Sequence, residues 1–165
     1  MTSSSANEAL IARFYSAFAT LDGDTMQACY ATDASFEDPV FRLQGRERIG
    51  AMWRMLCDTT RKKGRDVWRL EASDIAADAS TGRAHWEAHY RFSATGRIVH
   101  NVIDAQFTFR DGLIATHRDR FDFWAWSRMA LGPAGTLLGW TPVIRSKVQR
   151  GAAGQLAAFE ARGAA

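Results

Sequence analysis

RAHWEAHYRFSATGRIVHNVIDAQFTFRDGLIATHRDR, residues 83–120, alternates apolar and polar side chains through three consecutive segments. A strand turns successive side chains to opposite faces, so this period of two predicts three strands joined by tight turns. In 83–92, Ala84, Trp86, Ala88, Tyr90 and Phe92 share one face, against Arg83, His85, Glu87, His89 and Arg91. In 98–110, Val99, Asn101, Ile103, Ala105, Phe107 and Phe109 oppose His100, Val102, Asp104, Gln106 and Thr108. The last segment, extended to residue 124, sets Ala115, His117, Asp119, Phe121 and Phe123 against Thr116, Arg118, Arg120 and Asp122. Thr95-Gly96 and Asp111-Gly112 supply the turns, the latter a hairpin turn and no more. Three polar groups therefore stand on an otherwise apolar face: Asn101, His117 and Asp119.

Upstream, residues 65–77 repeat the pattern, with Trp68, Leu70 and Ala72 opposing Arg69, Glu71 and Ser73. The period before that is helical. Leu10, Phe14, Ala17, Phe18 and Leu21, widened by Ile11 and Tyr15, predict a helix over 7–22 that Gly23 stops; Asp24 is expected to cap a second, short helix to about residue 31. Residues 32–49, TDASFEDPVFRLQGRERI, read as a short strand, an acidic turn and the start of a helix that continues through Met52, Trp53 and Leu56. Asp38 stands at that strand's end beside Pro39. A half-polar sheet preceded by three helices packs them on its apolar face, which makes the fold class α+β.

The chain of 165 residues, 47% hydrophobic, reads as one domain, with a core over about 7–125 and a C-terminal extension over about 126–165. Gly132-Pro133-Ala134-Gly135 breaks the extension, 144–161 is weakly amphipathic, and the Gly/Ala-rich 151–165 is expected to fray. Three fates are open to this tail: closing a cavity mouth, joining a dimer contact, or touching a membrane surface, its low apolar content weighing against the last. The net charge of +3 is spread along the chain, and Arg61-Lys62-Lys63-Gly64-Arg65 lacks interleaved aromatics, so it reads as a solvated loop and no nucleic-acid partner is expected. Cys29 and Cys57 have no ligand spacing and read as packed, reduced thiols. With no secretion-type leader and no spanning apolar run, the expectation is a cytoplasmic protein without a membrane partner.

Four stretches carry a resemblance covering roughly residues 7–125: Asp33-Ala34-Ser35-Phe36-Glu37-Asp38-Pro39, Gly45-Arg46-Glu47-Arg48-Ile49, Phe107-Thr108-Phe109-Arg110-Asp111-Gly112-Leu113-Ile114 and Arg118-Asp119-Arg120-Phe121-Asp122. Together they resemble the nuclear-transport-factor-2-like (NTF2-like) superfamily, in its SnoaL-like, ketosteroid-isomerase-like and limonene-epoxide-hydrolase-like branch. The resemblance implies a cone-shaped, strongly curved mixed sheet wrapped on the three helices, a deep pocket, and a homodimer through the outer sheet face. Asp38 falls at the position of the isomerases' general base, but their oxyanion donors fall on Phe14 and Ala105. Asp119 falls at the first Asp of the epoxide hydrolases' catalytic group, whose Arg and Asp partners fall on Trp86 and Ala88. Neither standard reaction is therefore expected.

What remains is an inward cluster, with Asp38, His117 and Asp119 as catalytic candidates. Asn101, Phe14, Tyr15, Met52, Trp53, Trp86, Tyr90 and Phe121 are candidate ligand contacts. The chemistry suits a small hydrophobic ligand and cofactor-free acid/base work by an isomerase, cyclase or hydratase. The alternative is a noncatalytic ligand-binding or dimeric interaction module. On the other face His85, Glu87 and His89 are too far apart along a strand to share one small ion, so no metal is assigned and a solvated or dimer-forming face is expected.

Overall fold

The computed structural model describes residues 3–164. Met1, Thr2 and Ala165, parts of the expected domain and of its fraying tail, lie outside the described residues. The elements run α1 (Ser3–Ala19), α2 (Gly23–Ala28), β1 (Tyr30–Glu37), β2 (Arg42–Gln44), α3 (Arg46–Lys63), β3 (Arg69–Ala77), β4 (Thr81–Arg91), β5 (Ile98–Arg110), β6 (Leu113–Arg120), α4 (Phe123–Leu131), α5 (Pro133–Leu138) and α6 (Pro142–Gly163).

The six strands form one open sheet in the order β2-β1-β6-β5-β4-β3. Only β1 and β6 pair in parallel; every other neighbour is antiparallel. Three irregularities bend it, within β1 against β6, between Ser73 and Ala76 of β3, and between Thr108 and Phe109 of β5. Such bulges add local twist, and the sheet curls round α1 and α3. The apolar stripes read from the sequence fill the core: Ile11, Phe14, Phe36, Ile49, Met52 and Ile103 are fully buried. This is the curved α+β architecture expected from the alternation.

Several boundaries differ from expectation. Asp22, not Asp24, caps α2, its Oδ1 accepting from Thr25 N at 3.0 Å. Tyr30 opens β1 instead of ending a helix, so its ring enters the core from the sheet. The bulge opposite Thr108 and Phe109 skips Ala115, and Ile114 takes the inward place. β6 ends at Arg120; Asp122 caps α4 through Ala125 N, and Phe123 is buried as a helical residue. Arg61, Lys62 and Lys63 form the last turn of α3, where cations offset the helix dipole, and not a loop.

The extension does not fray within the described residues. α6 runs to Gly163, and its Leu156 is fully buried in the main core cluster. Arg48 Nε to Glu160 Oε1, 3.6 Å, ties α6 to α3, and Gln149 Nε2 donates to Pro39 O at 3.0 Å. A buried leucine cut back to a methyl loses its transfer energy and leaves a void, so Leu156→Ala should destabilise the protein by about 2–4 kcal/mol. Urea unfolding reads this directly; a loss under about 0.5 kcal/mol would mean that α6 is not packed as described.

Candidate functional site

Between the inner sheet face, α3 and α6 lies a cavity of about 490 Å³. Its walls are largely apolar, from Met52, Trp53, Met55 and Trp68 on one side to Phe121, Trp126, Ile144 and Val148 on the other. The tail thus supplies one wall of the cavity. Polar residues of the sheet and its loops also line it: Asp38, Tyr90, Arg91, Ser93, Asn101 and Asp119.

Asp38 is placed by the turn between β1 and β2. Its Oδ1 accepts from Val40 N at 2.7 Å and from Phe41 N at 2.6 Å, an Asx turn that Pro39 helps to fix. Loss of water around the carboxyl is the main influence on it and outweighs those two donors, and the charge of Asp119 acts in the same direction; the pKa is raised to about 7. A carboxyl poised near neutrality exchanges a proton at physiological pH, which an exposed one does not.

Asp119 is held from behind. Its Oδ1 is 2.9 Å from His117 Nε2 and 3.4 Å from Trp86 Nε1. His117 Nδ1 in turn lies 2.7 Å from Tyr30 Oη, which accepts from Trp53 Nε1 at 3.1 Å. A carboxylate only accepts, so a singly protonated ring carries its proton on Nε2 and takes the Tyr30 proton at Nδ1. Donors therefore run one way, from Trp53 through Tyr30 and His117 to Asp119. No bond to a described residue uses Asp119 Oδ2.

Asn101, 8% exposed on β5, makes no hydrogen bond to a described side chain, so its amide is presented to the cavity. Tyr90 Oη accepts from Trp126 Nε1 at 2.7 Å and keeps its own proton; burial, with the Asp38 charge, pushes that phenol well up.

The structure sorts the sequence candidates into two groups. Asp38, Asn101, Asp119, Met52, Trp53, Trp86, Tyr90 and Phe121 line the cavity. Phe14, Tyr15 and His117 do not: α1 directs both rings into the packed core, and His117 sits behind Asp119, edge-on to Phe14 and Phe36. Tyr15 Oη is buried without a hydrogen-bond partner among the described residues. Sequence reading missed Tyr30, whose assignment to a helix hid its alignment with β6, and Trp126, Ile144 and Val148, which reach the cavity only through the fold of the tail.

The outer sheet face carries a different chemistry. His85 Nδ1 meets Asp104 Oδ1 at 2.8 Å, His100 Nε2 meets Glu87 Oε2 at 2.6 Å, and His89 stacks on His100. Among the described residues no His/Cys/Asp/Glu cluster is arranged to hold a metal ion, and no helix is long and apolar enough to cross a membrane. Cys29 and Cys57 are buried and unbonded to each other, with burial pushing their thiols up to about 11 and about 12.

Comparison with known proteins agrees with this architecture. No curated protein matches the chain. Solved structures share its fold at low identity. An LEH-like epoxide hydrolase from M. tuberculosis is 20% identical with a TM-score of 0.63, over 81% of this chain and 96% of that one. A provisionally assigned polyketide cyclase from Xanthomonas campestris is 20% identical with a TM-score of 0.62, over 78% and 98%. A protein of ketosteroid-isomerase-like fold from Catenulispora acidiphila, in complex with trimethylamine, is 12% identical with a TM-score of 0.62, over 81% and 97%. The SnoaL-like domain family matches residues 11–117, and the chain, with its curved sheet, helical lining and inward carboxylates, belongs to that family.

Proposed function

We propose that this protein is a small enzyme that moves a proton on a lipophilic metabolite by acid/base chemistry of its own side chains, as an isomerase, cyclase or hydratase. The observation that carries the reading is Asp38, a carboxyl with a pKa raised to about 7 on the wall of an apolar cavity that also holds Asp119. A general base or acid works best when its pKa lies near the working pH. The about 490 Å³ cavity suits a ring-sized ligand.

In this reading ionised Asp38 takes the proton from carbon or from a water. Asn101 and Tyr90 donate to an oxygen of the ligand, and the free Oδ2 of Asp119 faces the other side. His117 acts through Asp119 as a positioning residue, as does Tyr30 through His117. The cyclase-type reading is favoured because Trp86 and Ala88 stand where an epoxide hydrolase would have its Arg and Asp partners.

Two measurements test this. With the folded pKa of Asp38 at about 7 against an unfolded value near 4, the native state binds the proton more tightly, so this group's contribution to stability falls as pH rises from about 4 to about 7. Asp38→Asn keeps an acceptor for Val40 and Phe41 and should flatten that slope, raising stability at pH 8 by up to about 4 kcal/mol. An unchanged slope in urea titrations across this range would remove the perturbed carboxyl, and with it the mechanism.

The second is a thermal-shift screen of lipophilic ring compounds followed by turnover assays on each hit. Asp38→Asn and Asp119→Asn should each lower kcat at least about a hundredfold while the ligand still stabilises the fold. Stabilisation with no turnover of any hit by the native chain would identify a binding module instead.

A further inference from the structure

The connection from α4 through α5 to α6 holds five large apolar side chains in water: Trp124 is 42% exposed, Leu137 71%, Leu138 51%, Trp140 70% and Val143 72%. Ile98 and Val102 of β5 are the other large apolar side chains exposed among the described residues, so five of seven fall in this connection, and a concentration of this kind marks an interaction site.

Their exposure is built in. An added Cβ on Gly135 would stand 1.9 Å from Ser127 O, and one on Gly139 1.9 Å from Ser127 Oγ. These two glycines let α5 lie directly on α4, and Leu137, Leu138 and Trp140 are turned outward. Ser127 Oγ, itself fully buried, donates to Trp124 O of its own helix at 2.9 Å and reaches Gly135 O of α5 at 3.4 Å.

The tip also satisfies its own polar groups. Trp124 Nε1 donates to Thr136 O at 3.3 Å and Trp140 Nε1 to Leu137 O at 3.1 Å. Thr141 donates to Leu138 O from both Oγ1, at 2.6 Å, and N, at 2.9 Å. Carbonyls at the end of a helix ordinarily turn to water. Here three of them, and both exposed indole N–H groups, have partners within the tip, so it can leave water without stranding those groups.

Charge selects the occupant. Between Asp122 and Glu160 the chain has no acidic residue and four cations, Arg128, Arg145, Lys147 and Arg150. All four are exposed; Arg128 lies over the Trp124 ring, and Lys147 and Arg150 follow Val143 at helical spacing on α6. The bounding acids are engaged, Asp122 with Ala125 N and Glu160 with Arg48. A second copy docking here through a twofold axis would set four cations against four. Apolar side chains with paired indoles, on helices whose exposed charges are all cationic, match the boundary of an anionic bilayer.

We propose that the α5 tip docks this protein on the headgroup region of an anionic lipid membrane. This reverses the expectation of no membrane partner, which rested on apolar content; what matters is that these few side chains are held outside the core. Leu131, Ala134, Ile144, Lys147 and Val148, from the same helices, line the cavity. Resting on the proposed function, this adjacency further assigns the ligand to metabolites that partition into lipid and reach the cavity from the bilayer.

Co-sedimentation with vesicles tests the docking without any ligand, so its result is separate from that of the turnover assays. The native chain should bind phosphatidylcholine vesicles containing about 30% phosphatidylglycerol and bind pure phosphatidylcholine much more weakly, with release as salt is raised. Leu138→Ser with Trp140→Ser, and separately Lys147→Glu with Arg150→Glu, should each weaken binding at least about tenfold, circular dichroism showing the fold intact. Absence of binding by the native chain, equal binding to both vesicles, or undiminished binding by either folded variant would overturn the proposal. So would self-association by light scattering that the Leu138/Trp140 pair abolishes while vesicles are ignored.

Discussion

A carboxylate taken out of water must be given donors, and the centre of this fold is arranged round that requirement. Asp119 is 4% exposed at the end of β6, and its Oδ1 is met by His117 and Trp86. His117 requires a partner at its second nitrogen, which Tyr30 of β1 provides because β1 and β6 run in parallel beside each other. Tyr30 is in turn held by Trp53 of α3. One buried charge thus fixes the relation of two strands and a helix, and breaking the chain at any member would leave a polar group unpaired in the core, at a cost of several kcal/mol.

Asp38 is treated in the opposite way. Its donors are two backbone amides on one oxygen, and they do not offset the loss of water, so the carboxyl keeps its proton to about pH 7. Two carboxyls thus share one cavity wall, one supported by a side-chain network and one only by a turn. It follows from where β1 stops, since the Asp38-Pro39 turn carries the residue off the sheet and over the hollow.

The helical tail joins both halves of this picture. Through Leu156 it is part of the core, through Ile144 and Val148 it is a wall of the cavity, and through α5 it presents apolar side chains to the exterior. Gly135 and Gly139 make these roles compatible, because the absence of a Cβ at both lets α5 lie directly on Ser127 of α4 while Leu137 and Trp140 stay exposed.

The alternation in residues 83–120 was enough to establish the sheet, the inward set Trp86, Asn101, Ile103 and Asp119, and the outward set His85, Glu87 and His89, because side-chain direction along a strand is a local property of the backbone; the helical period upstream completed the α+β class. Asp38 at a strand end beside a proline was legible for the same reason. Where the local rule was interrupted, reading failed: the bulge beside Phe109 exchanged Ala115 for Ile114, and Tyr30 was lost at a helix-strand boundary. The sequence by itself determined which side chains share a face. Only the tertiary structure decided that His117 stands behind Asp119 instead of in the cavity, that Phe14 and Tyr15 are core, and that the tail is both wall and exposed tip, since these depend on sheet curvature and on contacts between residues as far apart as Pro39 and Gln149.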